Sequence, residues 1–337
     1  MKERFVSFDF IRFVAIILVV CIHSQGALRE AVVMEVDPYG ELHWCRALWH
    51  VIYVAVPLFV MLSGALLLGK QESFSDFFKR RLTRVLVPFV VWSIILGFLL
   101  YYKTNHSLYG SIEWIISQTF SSGIYHVYWY IYLIIGLYLI TPILRLVILN
   151  GGKATVLYMI ILILSLWGAN LVLPSFDLVN RFACENLIFI AYFIIGYYVN
   201  KYIDLKIETN KQKCIWVLAF ITLYAFGVGL HVIGGLSIFN KMIELFEAIL
   251  LFILLSKWDY KWLAKTTIAL KGVTVVSEIS YGMYLTHCAF ISLLVSIPFV
   301  MNLSLTIEPL VVASLAFCFD GIAVFILKKI GLKKWVL

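Results

Sequence analysis

Residues 5–27, FVSFDFIRFVAIILVVCIHSQGA, are long and apolar enough to cross a bilayer as one helix. Yet the stretch carries Asp9, Arg12 and His23. Ionisable groups at membrane depth are costly, so they face a protein interior or a watery cavity and have a function. Arg12 and His23 are eleven residues apart. At about 100° per residue that is three turns plus roughly 20°, with a rise of about 16 Å, so both share one face. Asp9 sits three residues before Arg12, within pairing distance. A polar stripe therefore runs along this helix.

The rest of the chain matches that first stretch. Of 337 residues, 63% are hydrophobic and 14% charged, where a soluble protein has about 25% charged. The mean hydropathy of +0.97 leaves no room for a sizeable soluble domain. The sequence predicts an all-α, polytopic membrane helix bundle of about ten transmembrane helices, forming one domain over 1–337. The spans fall at roughly 5–27, 46–69, 85–102, 127–149, 154–173, 184–200, 214–235, 241–256, 273–300 and 308–328. Pro57 predicts a kink in the second span, and Gly151-Gly152 a tight turn between the fourth and fifth. An amphipathic basic segment, KQESFSDFFKRRLTR, precedes the third, and an interfacial helix is expected around Ile112–Phe120. The first apolar run lacks a small-residue cleavage site and reads as a retained span.

Charge gives the orientation. Most of the 27 Lys and Arg lie in alternate segments between spans; Arg29, Arg46, Lys103, Arg181 and Lys241 fall on the opposite side. The positive-inside rule then puts both termini in the cytosol. This asymmetry explains the net charge of +8 without nucleic acid, and contact with membrane lipids is expected instead. The six cysteines form no CxxC pair, and no HExxH, GxSxG or phosphate-cradling Gly-rich loop occurs, so no metal and no bound cofactor is expected.

Several residues could carry chemistry. His23 suits proton transfer or brief covalent carriage, against the plainer role of bonding a neighbouring helix. Arg12 could bind an anion or simply pair with Asp9. Arg80, Arg81 and Arg84 could hold phosphates at the cytosolic mouth of the third span, or serve topology and anionic lipids. His126, Trp129 and Tyr130, with Tyr128, mark the outer end of the fourth span, where aromatic residues commonly form an interfacial belt. Arg46 and His50 lie at similar depth. So do Glu244 and Glu247, either of which could orient the His23 imidazole, with Arg46 and Lys241 as rival partners. Glu278, Tyr281, Tyr284 and His287, spaced by three, predict a stripe on one face of the ninth span. Asp320 lies inside the tenth, where a carboxylate needs a partner.

FDFIRFVAIILVVCIHS, with an Arg, ten residues and a His, resembles the start of the acyltransferase-3 family of integral membrane acyltransferases. PLFVMLSGALLL, FFKRRLTRVLVPF, HVYWYIYLIIGLYLITPIL and EISYGMYLTH extend the resemblance in order over nearly the whole chain. The WYIYLIIGLYLITP form is most similar to members that O-acetylate bacterial surface polysaccharides. A similar module forms the membrane half of vancomycin-resistance serine racemases, where it is thought to move serine.

The resemblance implies transfer of an acyl group, usually acetyl from acetyl-CoA, to a hydroxyl of a cell-envelope glycan or lipid-linked glycan at the outer face of the bacterial cytoplasmic membrane. His23, Arg12 and Asp9, with Glu244 and Glu247, would be catalytic. Arg80, Arg81, Arg84, His126, Trp129, Tyr130, Tyr281, Tyr284 and His287 would bind substrate. His23 would act as general base or transient acyl carrier. A transporter of a small polar molecule such as serine, or a polysaccharide exporter, is the alternative. A homo-oligomer is compatible with either.

Overall fold

A computed structural model describes residues 6–25, 49–105, 107–121, 123–172, 186–232, 237–301, 303–304 and 307–336. The stretch between the expected first and second spans, with Glu30, Glu35, Asp37, Pro38 and Glu41, lies outside them, as do Arg29, Arg46 and Arg181. The described residues are helical, with one isolated bridge, Ile207 to Trp258, and no strand. Helices satisfy their own backbone groups, which a bilayer requires.

In chain order the main helices are α1 (Val6–His23), α2 (Ala55–Leu67), α3 (Phe74–Asn105), α4 (Leu108–Phe120), α5 (Trp129–Val172), α6 (Leu187–Tyr202), α7 (Asn210–Val232) and α8 (Ser237–Lys257). Then follow α9 (Lys261–Lys265), α10 (Thr267–Val295), α11 (Pro298–Met301), α12 (Ile307–Leu327) and, past a π-helical segment Lys328–Leu332, α13 (Lys333–Val336). Seven segments among the described residues are long and apolar enough to cross a membrane, which makes the chain an all-α polytopic bundle. One of the seven, 126–172, would be about 70 Å long if straight, more than twice the hydrocarbon thickness. It breaks at Gly152, whose φ of 69° lies in the left-handed region open to glycine. The turn expected at Gly151-Gly152 is thus present. The spans expected at 184–200 and 241–256 correspond to α6, a shorter apolar helix of 16 residues, and α8, which is not among the seven.

One local expectation is corrected. The basic segment and the third span form one 32-residue helix, α3. Ser73 starts it: its Oγ accepts from the Asp76 N–H at 3.1 Å and donates to the Asp76 carboxylate at 2.9 Å, a reciprocal cap. Pro57 stands in the first turn of α2, which begins at Ala55 after a 3₁₀ turn, His50–Val54. In a first turn the missing N–H has no acceptor to disappoint.

The chain forms two compact units. The first draws on residues 1–19, 31–71 and 140–274, the second on 20–30, 72–139 and 275–337. Helices α1, α5 and α10 each run from one unit into the other.

In the first unit α2 and α6 pack backbone against backbone. A Cβ on Gly64 would stand 1.7 Å from the Phe193 carbonyl oxygen, and one on Gly196 would stand 1.8 Å from that of Met61. Small residues permit such approach where lipid offers helices no hydrophobic drive to associate. Buried Arg145 donates to the Leu67 carbonyl through Nε at 3.0 Å and Nη2 at 2.8 Å, closing the C-terminus of α2. The first half of α1 packs through Phe10 on Tyr260, ring centres 5.1 Å apart.

In the second unit the end of α1 joins α10 and α12 through Val20, Ile291, Leu294, Val312 and Ala316. Helix α4 exposes Tyr109, Ile112, Ile116 and Phe120 along one side while burying Ser111 and Ile115. A helix thus stands where one was expected, around Ile112–Phe120.

Candidate active site

His23 ends α1 in the second unit, half-buried. Its ring meets that of His287, with centres 5.1 Å apart and planes at 45°. His287 is fully buried, and its Nδ1 lies 2.8 Å from the Tyr284 carbonyl and 3.2 Å from that of Met283. Carbonyls only accept, so Nδ1 carries a proton. In the neutral tautomer with that proton the lone pair sits on Nε2, which lies 3.4 Å from the Cys288 sulfur. Thr286, beside it, holds Asp320 of α12 at 2.5 Å from Oγ1. Asp320 thereby has the partner that its position demands, while its Oδ2 meets none among the described residues. Gln25, two residues past His23, is also buried, and its Nε2 has no partner among the described residues.

Aromatic side chains frame this pair. Tyr284 donates to the Val127 carbonyl and packs on Tyr130 and Tyr281, ring centres 5.5 Å and 6.3 Å away. Tyr128, fully buried, donates to the Leu285 carbonyl at 2.7 Å and braces α10. Tyr281 donates to the Val85 carbonyl of α3 at 2.7 Å. Trp129 is 38% exposed, His126 exposed.

The stripe on α10 is not a single face. A step of three residues turns about 300°, so each member falls back about 60°, and Glu278 and His287 end on opposite sides. The contacts follow that winding. Glu278 pairs with Lys328 at 2.5 Å, Tyr281 reaches α3, Tyr284 turns to Tyr130, and His287 faces His23.

Next to Val85 on α3, a cleft of about 570 Å³ is lined by Lys79, Arg80, Thr83, Arg84, Gly331, Lys333 and Lys334. Arg80 and Arg84 thus reach a common space. Arg81 does not line it: Arg81 pairs with Glu72 at 3.6 Å and lies over the Phe77 ring at 6.0 Å. Arg80 shares Glu72 at 3.0 Å.

In the first unit Arg12 pairs with Asp9 at 3.3 Å, and both sit on α1 with His23, so their spacing is that of one continuous helix. Glu247, expected with Glu244 as a group that could orient His23, meets His50 in the first unit, Oε1 to Nε2 at 2.8 Å. His50 also stacks between Tyr224 and His231, at 5.2 Å and 4.8 Å.

A family model described as an acyltransferase domain matches residues 5–328. The chain belongs to the acyltransferase-3 family. Comparison with curated proteins and with solved structures returns no match. Membership and the apolar helices together make this a multi-pass membrane acyltransferase. In this acyltransferase-3 chain, sequence reasoning did not single out Thr286, Gln25, Lys333 or Lys334 for the site. Gln25 carried a signal, an amide two residues past a histidine at membrane depth. The two lysines looked like topogenic charge.

Proposed function

We propose that the protein moves an acetyl group from acetyl-CoA to a hydroxyl of a cell-envelope glycan, or its lipid-linked precursor, at the outer face of the bacterial cytoplasmic membrane. The observation that carries this reading is one continuous set of groups in the second unit. Arg84 of the cationic cleft is followed in α3 by Val85, whose carbonyl accepts from Tyr281; Tyr281 stacks on Tyr284, which meets His287 beside His23. Arg80 and Arg84 suit the phosphates of the nucleotide end, which charge-assisted hydrogen bonds hold best. The thin arm of the donor lies along the tyrosines, and its thioester reaches His23.

The acceptor hydroxyl gives its proton to His23, and its oxygen bonds to the thioester carbon. The carbon–sulfur bond breaks, and the CoA sulfur leaves with that proton returned from the imidazolium. General-base catalysis of this kind is worth about 10²–10⁴-fold. His287, with Nδ1 fixed, holds the imidazole of His23 in place. Gln25 offers an amide N–H to the oxyanion formed on the carbonyl oxygen. His126, Trp129 and Tyr130 line the acceptor side.

The test uses purified protein, radiolabelled acetyl-CoA and a membrane glycan extract. Alkali-labile label in the glycan fraction, lost in His23→Ala, is expected. Intact acetyl-CoA after incubation, with the protein folded, would overturn the reading.

A further inference from the structure

The cleft beside α3 has two walls of different origin. One is the first half of α3, with Lys79, Arg80 and Arg84 on it. The other is the C-terminal segment, which brings Lys333 and Lys334. The two segments touch, and both lie in the second unit.

That second wall is built in two steps. Lys328 is tied to Glu278 of α10, which fixes where the segment starts. Gly331 then takes a φ of 92°, a left-handed angle that turns the chain at little cost only for glycine. Two residues on, Lys333 and Lys334 face α3 across the cleft. Without the anchor and the turn, a chain end this basic would spread away from Lys79, Arg80 and Arg84, because like charges repel.

Anions within the protein do not account for the assembly. Glu72 serves Arg80 and Arg81. Among the described residues no carboxylate pairs with Lys79, Arg84, Lys333 or Lys334. The cleft volume, about 570 Å³, lies within the roughly 300–1,000 Å³ of small-ligand sites. Five side chains of one sign around a ligand-sized space, two of them held there by a salt bridge and a glycine turn, suit a ligand with several phosphates.

We propose that Lys333 and Lys334 close the phosphate site from the C-terminal side, clasping the nucleotide phosphates of acyl-CoA against Lys79, Arg80 and Arg84. This rests on the reading of the cleft as the donor's phosphate site. A lysine offers a compact charge that follows a phosphate, while the arginines fix its orientation through planar forks. The shared chemistry with an anionic lipid headgroup is phosphate recognition, and the experiment separates the two sources.

Full-length protein in nanodiscs is titrated with acetyl-CoA and with acetyl-pantetheine, which lacks the nucleotide. The variants are Lys333→Ala/Lys334→Ala, Lys333→Arg/Lys334→Arg and Arg84→Ala. The alanine pair is expected to weaken acetyl-CoA binding about tenfold, leave acetyl-pantetheine unchanged, and recover in the arginine pair. Loss of binding in Arg84→Ala alone, with the lysine pair neutral, would overturn this inference and keep the cleft as the donor site. Neutrality of all three would overturn both. If the lysine pair lowers retention of anionic lipid and leaves acetyl-CoA affinity unchanged, the lysines hold headgroups and the proposal fails. Equal melting temperatures for the three variants guard against misfolding.

Discussion

Glu247 and His50 meet at 2.8 Å in the first unit, with side chains 0% and 1% exposed, on elements 197 residues apart in sequence. A buried pair of this kind is costly to break from one side, because the survivor stays buried without its partner, at about 3–5 kcal/mol. Glu247→Ala and His50→Ala are each expected to destabilise the protein by about that much. The double variant should cost less than the sum of the two. Denaturant titration in mild detergent measures this cycle. Additive losses would show that the two side chains are not coupled.

His23→Ala is expected to abolish acyl transfer, a loss of about 10²–10⁴-fold, while the protein still folds in membranes. His287→Ala should lower turnover less, since it acts through His23. Full product formation by a well-expressed His23→Ala protein would remove the imidazole from the mechanism.

Gln25→Leu keeps the volume and removes the buried N–H donor. If that N–H meets the oxyanion, turnover falls by about 10²–10³-fold. The apparent affinity for acetyl-CoA should stay near that of the parent. A change confined to affinity would assign Gln25 to binding instead.

Arg80→Ala and Arg84→Ala together should raise the KM for acetyl-CoA more than they lower kcat, because phosphate contacts persist from ground state to transition state. Arg81→Ala should show itself in stability, since it lies on Phe77 and Glu72 rather than in the cleft. Steady-state kinetics and melting curves separate the two. Equal KM for parent and Arg80→Ala/Arg84→Ala would leave these arginines topogenic.

Much of this was legible in the chain. The Arg12–His23 spacing and the turn at Gly151-Gly152 follow from helical geometry and glycine chemistry, which are local. The continuity of the basic segment with the third span was not, because the Ser73–Asp76 cap starts a helix that absorbs Pro88 without ending. Partners chosen across the fold were least legible. Depth alone grouped Glu247 with His50, Arg46 and Lys241, and only packing shows that its bond goes to His50. The winding of Glu278, Tyr281, Tyr284 and His287 was computable from a 100° step, yet a spacing of three resembles a straight line on paper.

Gly196→Ala should fail in the membrane. Its Cβ would enter the backbone of α2, 1.8 Å from the Met61 oxygen, so the helices must separate at a cost of at least about 1–3 kcal/mol. Gly168→Ala on α5 is the control, since its Cβ meets nothing within 4 Å. There alanine should be neutral or stabilising by up to about 1 kcal/mol. Thermal stability of the two purified variants checks the contrast, and equal melting temperatures would contradict it.

The seam between Gly64 and Gly196 also limits how this protein can change over time. Most helix contacts can drift by a methylene at a time, with neighbours repacking after each step. Here backbone meets backbone, and no side chain is available to trim or extend. Selection can therefore keep the joint or replace it whole, so α2 and α6 form a fixed datum while substrate-facing residues elsewhere are left to diversify.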